Sequence, residues 1–360
     1  MGFPYKRIGS SPTNAGKDGG VFDKFDSYFA EQNDQLGRTP PPTQPTGSGI
    51  EATGGTITDL TGHNGFNWKV HTFTGSGTFS VSSVNAHSTA PTDVKGKVEY
   101  LVIAGGGSGP NNNGGGAGGG GAGGYRANVG QISPAPEPSG GAGAAEAAFS
   151  VSATSYAITV GAGGAYSTST RANNGTDSSF GPTIVSTGGG AGNCSHPTGG
   201  NPGGSGGGGG EFDGPQDKGG EGTSGQGYDG GEGTGPSPSN CGAGGGGAGG
   251  QGGNGDSAGP SPLGSTAARA GGVGRASSIT GSPVFRAGGG GASGNNRAGG
   301  NGGNGGGGNA GGGSGGPGDS PGGLSSGSAN TGGGGGGRYN APPHQAAGGS
   351  GVVIIRYVAD

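Results

Sequence analysis

The sequence predicts a mainly β and irregular fold. In outline it is a glycine-rich domain braced by β-strands and built from polyglycine II-type helices, preceded by a small β module and a short N-terminal helix. Three observations lead there. Glycine supplies 107 of the 360 residues and comes in runs, the longest being Gly118–Gly121, Gly206–Gly210, Gly244–Gly247, Gly305–Gly308 and Gly332–Gly337. Hydrophobic residues make up only 26% of the chain, so the runs have almost nothing to bury in an ordinary core. Yet short apolar strands recur between the runs, and the first and last of them are continuously apolar.

Residues 1–37 read as an attachment element. Val21, Phe22, Phe25, Tyr28, Phe29 and Gln32 fall at helical spacing, which puts the aromatics on one side, with Asp18 in the region of the cap. A helix this short needs a partner surface, in its own chain or in another. Residues 38–49 (RTPPPTQPTGSG) form a linker whose Pro40-Pro41-Pro42 favours an extended polyproline spacer.

Residues 50–97 read as a small β module. Thr56-Ile57-Thr58 is a short strand. Phe66-Asn67-Trp68-Lys69-Val70, continuing to Phe73, and Thr78-Phe79-Ser80-Val81 alternate apolar and polar around the turn Gly75-Ser76-Gly77, which predicts a hairpin with one buried face. Trp68 is expected in the core rather than on a ligand platform.

Residues 98–360 form the glycine-rich domain. Val98–Ile103 opens it and Val352–Val358 closes it, both apolar enough to be buried on two faces and expected to be neighbours. Ala148–Val151 and Tyr156–Val160 suggest a hairpin; Phe180, Thr183–Val185 and Val284-Phe285 are further strand fragments.

Glycine at every third position without interruption would mean collagen, but the longer runs and Asn111-Asn112-Asn113 break that register. The alternative is a bundle of extended, left-handed helices with three residues per turn, whose outward N–H and C=O groups bond to neighbouring helices. Ordering backbone costs about 1–2 kcal/mol per residue, and a net hydrogen bond returns about 0.5–1.5 kcal/mol. Such a bundle therefore needs many members and an apolar brace, which the strands supply. Each run is then a rod, and each interruption a loop at a rod end. The loops include Ser195-His196-Pro197, Glu211–Pro215, Gly235–Pro238, Asn295-Asn296-Arg297 and Arg338–His344. Varied loops on a uniform scaffold suit recognition.

A net charge of −4 without basic clusters argues against nucleic acid. The apolar runs are too short to cross a bilayer, and the N-terminus lacks the apolar core of a secretory signal. Cys194 and Cys241 are too few for a disulfide framework; a single bond between them requires their loops to lie side by side. The many GxGxxG matches follow from glycine density and lack a strand–helix context. Glu211, Asp213 and Asp217 are loop carboxylates expected to be solvated, and Cys194 and His196 have no second ligand pair, so no metal or cofactor is expected. Asn174-Gly175-Thr176 and Asn193-Cys194-Ser195 are formal glycosylation sequons only. The best contact candidates are aromatics among glycines: Tyr125, Tyr166, Phe212, Tyr228 and Tyr339. The competing reading is that each covers a rod end or packs on a neighbouring subunit.

One ordered series carries a resemblance. It runs from Val98–Gly107 through Gly123-Gly124-Tyr125-Arg126, Ile158–Gly164 and Ser178-Ser179-Phe180-Gly181 to Gly349–Tyr357. Over residues 98–360 it resembles the glycine-rich domain of tail-fibre and other virion proteins of tailed phages, marine and cyanobacterial ones above all. The resemblance implies a non-enzymatic virion protein made in the host cytoplasm, a tail-fibre or fibre-tip adhesin whose loops meet a bacterial surface glycan or outer-membrane protein. Residues 1–97 lie outside the resemblance; the attachment reading of residues 1–37 makes Phe22, Phe25, Tyr28 and Phe29 the candidates for docking to other virion proteins, a homo-oligomer such as a trimer is compatible with it, and no nucleic acid, membrane insertion or cofactor is expected. Two alternatives stay open: a capsid-decoration, neck or fibre-connector protein without receptor binding, and an ice-binding polyglycine bundle similar to some small arthropod antifreeze proteins.

Overall fold

The computed structural model describes residues 49–63, 66–84, 95–112, 116–129, 137–167, 172–194, 199–211, 218–234, 241–255, 270–294, 299–310, 324–339 and 346–359. The expected N-terminal helix and the proline linker up to residue 48 lie outside them. Among the described residues every regular element is a strand. In chain order these are β1 (Ile50–Thr53), β2 (Thr56–His63), β3 (Phe66–Phe73), β4 (Gly77–Val84), β5 (Lys97–Ile103), β6 (Asn111–Asn112), β7 (Tyr125–Ala127) and β8 (Phe149–Ser150). They continue with β9 (Ser155–Thr159), β10 (Ser178–Phe180), β11 (Ile184–Ser186), β12 (Arg275–Ser277), β13 (Val284–Arg286), β14 (Arg338–Tyr339) and β15 (Val352–Val358).

Two antiparallel sheets pack face to face. One has the order β1-β4-β9-β10-β11; the other runs β2-β3-β15-β5-β7, with β8 also paired to β5. Between them lies a core of Phe73, Phe79, Val81, Val98, Tyr100, Val102, Ile158, Phe180, Ile184, Val353, Ile355 and Tyr357. The second sheet buries its other face as well: Trp68, Val70, Leu101, Ile103, Val352, Ile354 and Val358 pack on Ala122, Tyr125, Ala248, Ile279 and Ala287 from the glycine-rich segments. Burial on both faces is why β5 and β15 read as unbroken apolar runs, and they are direct neighbours, Val352 opposite Ile103. Trp68 is fully buried, with the Arg356 guanidinium 4.3 Å from its ring centre. Arg356 also pairs with buried Glu99 (2.6 Å) and donates to the carbonyls of Ser278 and Ile279, which ties the β12–β13 ribbon to the sheet.

The two predicted hairpins do not form. β3 pairs with β2 and β15, whereas β4 pairs with β1 and β9, so Thr74–Ser76 passes from one sheet to the other. The reason is in the side chains. β3 is apolar on both faces (Trp68 and Val70 on one, Phe73 on the other) and needs a central, doubly covered position. β4 buries only Phe79 and Val81 and suits a sheet covered on one face. Likewise β8 pairs with β5, while β9 pairs with β4 and β10; Phe149 and Tyr156 meet around Phe180, at 5.0 and 5.5 Å. Residues 50–97 are therefore not a free-standing module: β2 and β3 complete the sheet of β5 and β15.

The glycine runs bond to one another through their backbones with a repeat of three residues. In the central run, Gly118, Gly121 and Gly124 donate to the carbonyls of Asn193, Gly190 and Thr187. Gly119 and Ala122 donate to Ala243 and Gly246, and Gly120 and Gly123 to Gly335 and Gly332. Its carbonyls follow the same rule. Gly116, Gly119 and Ala122 accept from Glu211, Gly208 and Ser205; Ala117 and Gly120 accept from Ser293 and Gly290; Gly121 and Gly124 accept from Gly107 and Ala104. Residues 116–124 are thus surrounded by six segments, three accepting and three donating. The neighbouring run repeats the pattern, with donors Gly105 and Ser108 to Thr176 and Asn173, and Gly106 and Gly109 to Gly349 and Ala346.

Glycine is required by this closeness. A Cβ on Gly119 would lie 2.0 Å from the Gly290 carbonyl oxygen, and one on Gly121 would lie 2.2 Å from that of Ser205. At the periphery, where a run lacks an outer neighbour, side chains take its place. Exposed Asn174 and Asp177 accept from the amides of Ala191 and Gly188, three residues apart on each partner; Asp229, Asn254 and Asn309 accept from Gly222, Glu232 and Gly302.

Candidate functional site

Following each rod separates two ends. At the sandwich end the chain reverses in tight turns: Gly227 bonds back to Thr223, Gly247 to Gly250, Gly281 to Ser278 and Gly307 to Gly303. These turns sit against the sheets, as Tyr125 N–H donates to Gln226 and Gly141 N–H to Ala248. Ile50 and Ala359 also lie at this end, in the walls of one groove.

At the opposite end the rods stop at the feet of the longer interruptions, and those feet bond to each other. Glu211 N–H donates to the Gly116 carbonyl while its carboxylate accepts from Gly116 N–H. Ser293 exchanges bonds with Ala117 and accepts from Gly242. Thr234 and Cys241 exchange both backbone bonds, and Gly255 N–H donates to Glu232. β6 and β14 pair in parallel, Arg338 opposite Asn111, and the Cys194 thiol donates to the Asn111 carbonyl at 3.6 Å. The flanks of 113–115, 195–198, 212–217, 235–240, 256–269, 295–298 and 340–345 therefore converge on one face. Tyr166, which precedes 168–171, accepts from Arg338 Nη1 at 3.2 Å, and Ala310, which precedes 311–323, bonds to Gly300. The stretch 130–136 differs, since its flanks Val129 and Glu137 bond together beside the sheet.

The aromatic candidates divide between the two ends. Tyr166 is half-buried at the loop end and Tyr339 is in β14 there. Phe212 lies outside the described residues, directly after Glu211. Tyr125 is a correction: it is fully buried in the core beneath the second sheet, because Tyr125-Arg126-Ala127 is a strand paired to Ile103-Val102-Leu101 and its ring fills the junction of sheet and bundle. Burial pushes its hydroxyl pKa up. Tyr228 is half-buried near the sandwich end, its N–H donating to Gly247 beside the Gly247–Gly250 turn. Phe22, Phe25, Tyr28 and Phe29 lie outside the described residues.

Cys194 and Cys241 are both buried at the loop end, and no disulfide joins them. Burial pushes the Cys194 thiol up to about 12, which suppresses the reactive thiolate at neutral pH. Among the described residues no group of three or more His, Cys, Asp or Glu side chains is placed to hold a metal ion, and no helix is long and apolar enough to cross a membrane. Among the described residues, the chemistry of the loop end is that of backbone amides, hydroxyls, the Glu211 carboxylate, the buried Cys194 and Cys241 thiols, Tyr166 and the buried Arg338. Arg338, Asn111 and Ser293 tie the loop feet and are not site candidates in the sequence, whereas Glu211, expected there to be a solvated carboxylate, is half-buried and bonded to the Gly116 amide. The signal available was their position as polar residues bordering a glycine run.

No curated protein matches the chain. A family model described as a glycine-rich domain matches residues 80–358, from within β4 to the last residue of β15, and so takes in β5 to β15 and all the long glycine runs, while β1, β2 and β3 lie outside it. By that match the chain belongs to the glycine-rich domain family.

Proposed function

We propose that this is a non-enzymatic virion protein of a tailed phage, a tail-fibre or fibre-tip adhesin that meets the host surface with its loop end. In this reading the glycine runs are polyglycine II-type helices. The three-residue repeat of hydrogen-bond partners supports it, since that helix has three residues per turn and leaves every N–H and C=O free to bond outward. The sandwich end, where the chain enters at Ile50, faces the particle and the other virion proteins. Tyr166, Phe212 and Tyr339 belong to the contact surface, and a bacterial surface glycan or outer-membrane protein is the receptor.

The observation that carries the proposal is the convergence of the loop feet on the end opposite the sheets. A scaffold of backbone alone cannot discriminate partners, whereas side-chain diversity gathered on one rigid face can. The test replaces 212–217 and 340–345 by Gly/Ser stretches of equal length, together with Tyr166→Ala, and measures adsorption to host cells. The expected result is loss of adsorption with an unchanged thermal midpoint. Wild-type adsorption by the folded variant would defeat the assignment.

A further inference from the structure

The inward face of the β12–β13 ribbon, which also carries the buried Ser277, gathers charge that the fold leaves unpaired. Arg275 and Arg286 stand directly opposite each other across the ribbon, an arrangement in which like charges repel. Arg275 Nε and Arg286 Nη1 are buried without a hydrogen-bond partner, and so is Glu137 Oε2. The other Glu137 oxygen accepts from Ser278, from its N–H at 2.7 Å and from its hydroxyl, which fixes the carboxylate beside the ribbon. No ion pair among the described residues involves either arginine. The Tyr125 hydroxyl lies among these groups. It reaches the ribbon at the Ala276 carbonyl (3.5 Å), and Glu137, Arg286 and Arg275 all act on it electrostatically. Burial, and after it the Glu137 charge, keeps Tyr125 a neutral phenol, while burial also works against the Arg286 charge. Both arginines are half-buried residues, so the cluster stays open to solvent on one side.

Desolvating a guanidinium without an acceptor is costly, and a second cation opposite it adds to the cost. The orphaned atoms define what would satisfy them: acceptors for two cations, and one donor for Glu137 Oε2. Sulfate or a simple carboxylate supplies the acceptors alone. An oxyanion that keeps an O–H supplies both, and inorganic phosphate does so at neutral pH with further oxygens left to accept from two forks. We propose that Arg275, Arg286 and Glu137 form a binding site for inorganic phosphate, both guanidinium forks donating to its oxygens and its O–H donating to Glu137 Oε2. The bound ion neutralises the pair across the ribbon and ties the ribbon to the segment that carries Glu137. The site lies beneath the second sheet, beside Tyr125 and away from the loop end, and does not depend on the adhesin reading.

The experiment is isothermal titration calorimetry on the full chain in phosphate-free buffer at neutral pH, with inorganic phosphate, sulfate and glycerol phosphate as probes. A phosphomonoester, with its second pKa of about 6, has mostly lost its O–H there, whereas inorganic phosphate keeps one. The expected result is one phosphate site per chain, with sulfate and the monoester at least about tenfold weaker, as for one lost hydrogen bond to a charged group. Arg286→Met keeps the apolar stem and removes the fork. It should weaken phosphate by at least about tenfold. Its unfolding midpoint in phosphate-free buffer should stay unchanged or rise, because the cross-strand repulsion is relieved. Glu137→Gln keeps the bonds from Ser278 through its amide oxygen and turns the free acceptor into a donor, so phosphate and sulfate should then bind alike. Absence of saturable phosphate binding overturns the proposal, as does wild-type affinity in Arg286→Met; a lowered midpoint in that variant counts against it. Equal affinity for sulfate in the wild type means an adventitious ion only and overturns it too. Equal affinity for the monoester overturns the free-ion reading and assigns the site to phosphoryl groups of larger molecules.

Discussion

Replacing Gly120 by alanine adds one methyl group at the centre of the bundle. Gly120 donates to Gly335 and accepts from Gly290, both at 2.8 Å. Its new Cβ would stand 2.1 Å from the carbonyl oxygen of Gly107 and 2.7 Å from the carbonyl carbon. Those are backbone atoms with no rotamer to move, and an ordinary carbon–oxygen contact is about 3.3–3.6 Å. The run 104–109 must therefore shift by more than about 1 Å, which breaks or stretches the bonds Gly107 makes with Gly121 (2.8 Å) and Gly335 (2.9 Å). Three or four bonds at about 0.5–1.5 kcal/mol each, plus about 1–3 kcal/mol for overpacking, put the loss at roughly 2.5–9 kcal/mol. Denaturant midpoints measure it, with Gly75→Ala as the matched control. Gly75 has nothing within 4 Å of an added Cβ and no left-handed φ, so that change should stay within about 0.5 kcal/mol. A loss below about 1 kcal/mol for Gly120→Ala would refute the claim that backbone proximity holds the bundle.

Glu99→Gln strips the charge from a fully buried pair and leaves Arg356 over Trp68 uncompensated; the expected cost is about 3–5 kcal/mol in the same unfolding assay. His71 is buried, bonded to the Gly54 carbonyl (2.8 Å) and packed on Phe79 and Tyr357. Burial holds its pKa below the ordinary 6.5, so below that pH the unfolded chain takes up a proton the folded one refuses. Stability should thus fall as pH drops below 6.5 until the lowered folded pKa is passed, and His71→Phe should flatten that slope whatever it does to absolute stability. Cys194 and Cys241, buried and not disulfide-bonded, should both resist a thiol reagent at neutral pH in the native protein and both react in denaturant; rapid native labelling would contradict their placement.

The positions of the longer strands were legible because period-two alternation and continuous apolar runs report burial directly, whereas the short strands β1, β6, β7, β12 and β14 carry too little of either pattern and were not read. The pairing of Val352–Val358 with Val98–Ile103 followed from both needing cover on two faces. Partner choice was less legible. Phe73 and Phe79 look like hairpin partners in sequence, but only the apolar character of both faces of β3 reveals that the two belong to opposite sheets. Tyr125 looked like a loop aromatic because glycines precede it; the Tyr-Arg-Ala alternation after them was the strand signal.

The neighbours of each glycine run could not be read at all, since one run is chemically the same as another. What distinguishes them is sparse. Asn174, Asp177, Asp229, Asn254 and Asn309 mark outer runs through side-chain bonds, and Ala122, Ala248 and Ala287 mark the ends that meet the apolar core. The convergence of loops on one end depends on alternating loop and tight turn along the chain. That parity is invisible until the turns at Thr223–Gly227 and Gly303–Gly307 are seen to lie on the same side.

A particle-level density map tests the central claim most directly, because it locates both ends of the bundle at once. The account predicts the β-sandwich towards the particle and the end bearing Glu211, Thr234, Gly294 and Tyr339 outermost and free of other subunits. A map with that end buried among neighbouring proteins and the sandwich exposed would contradict it.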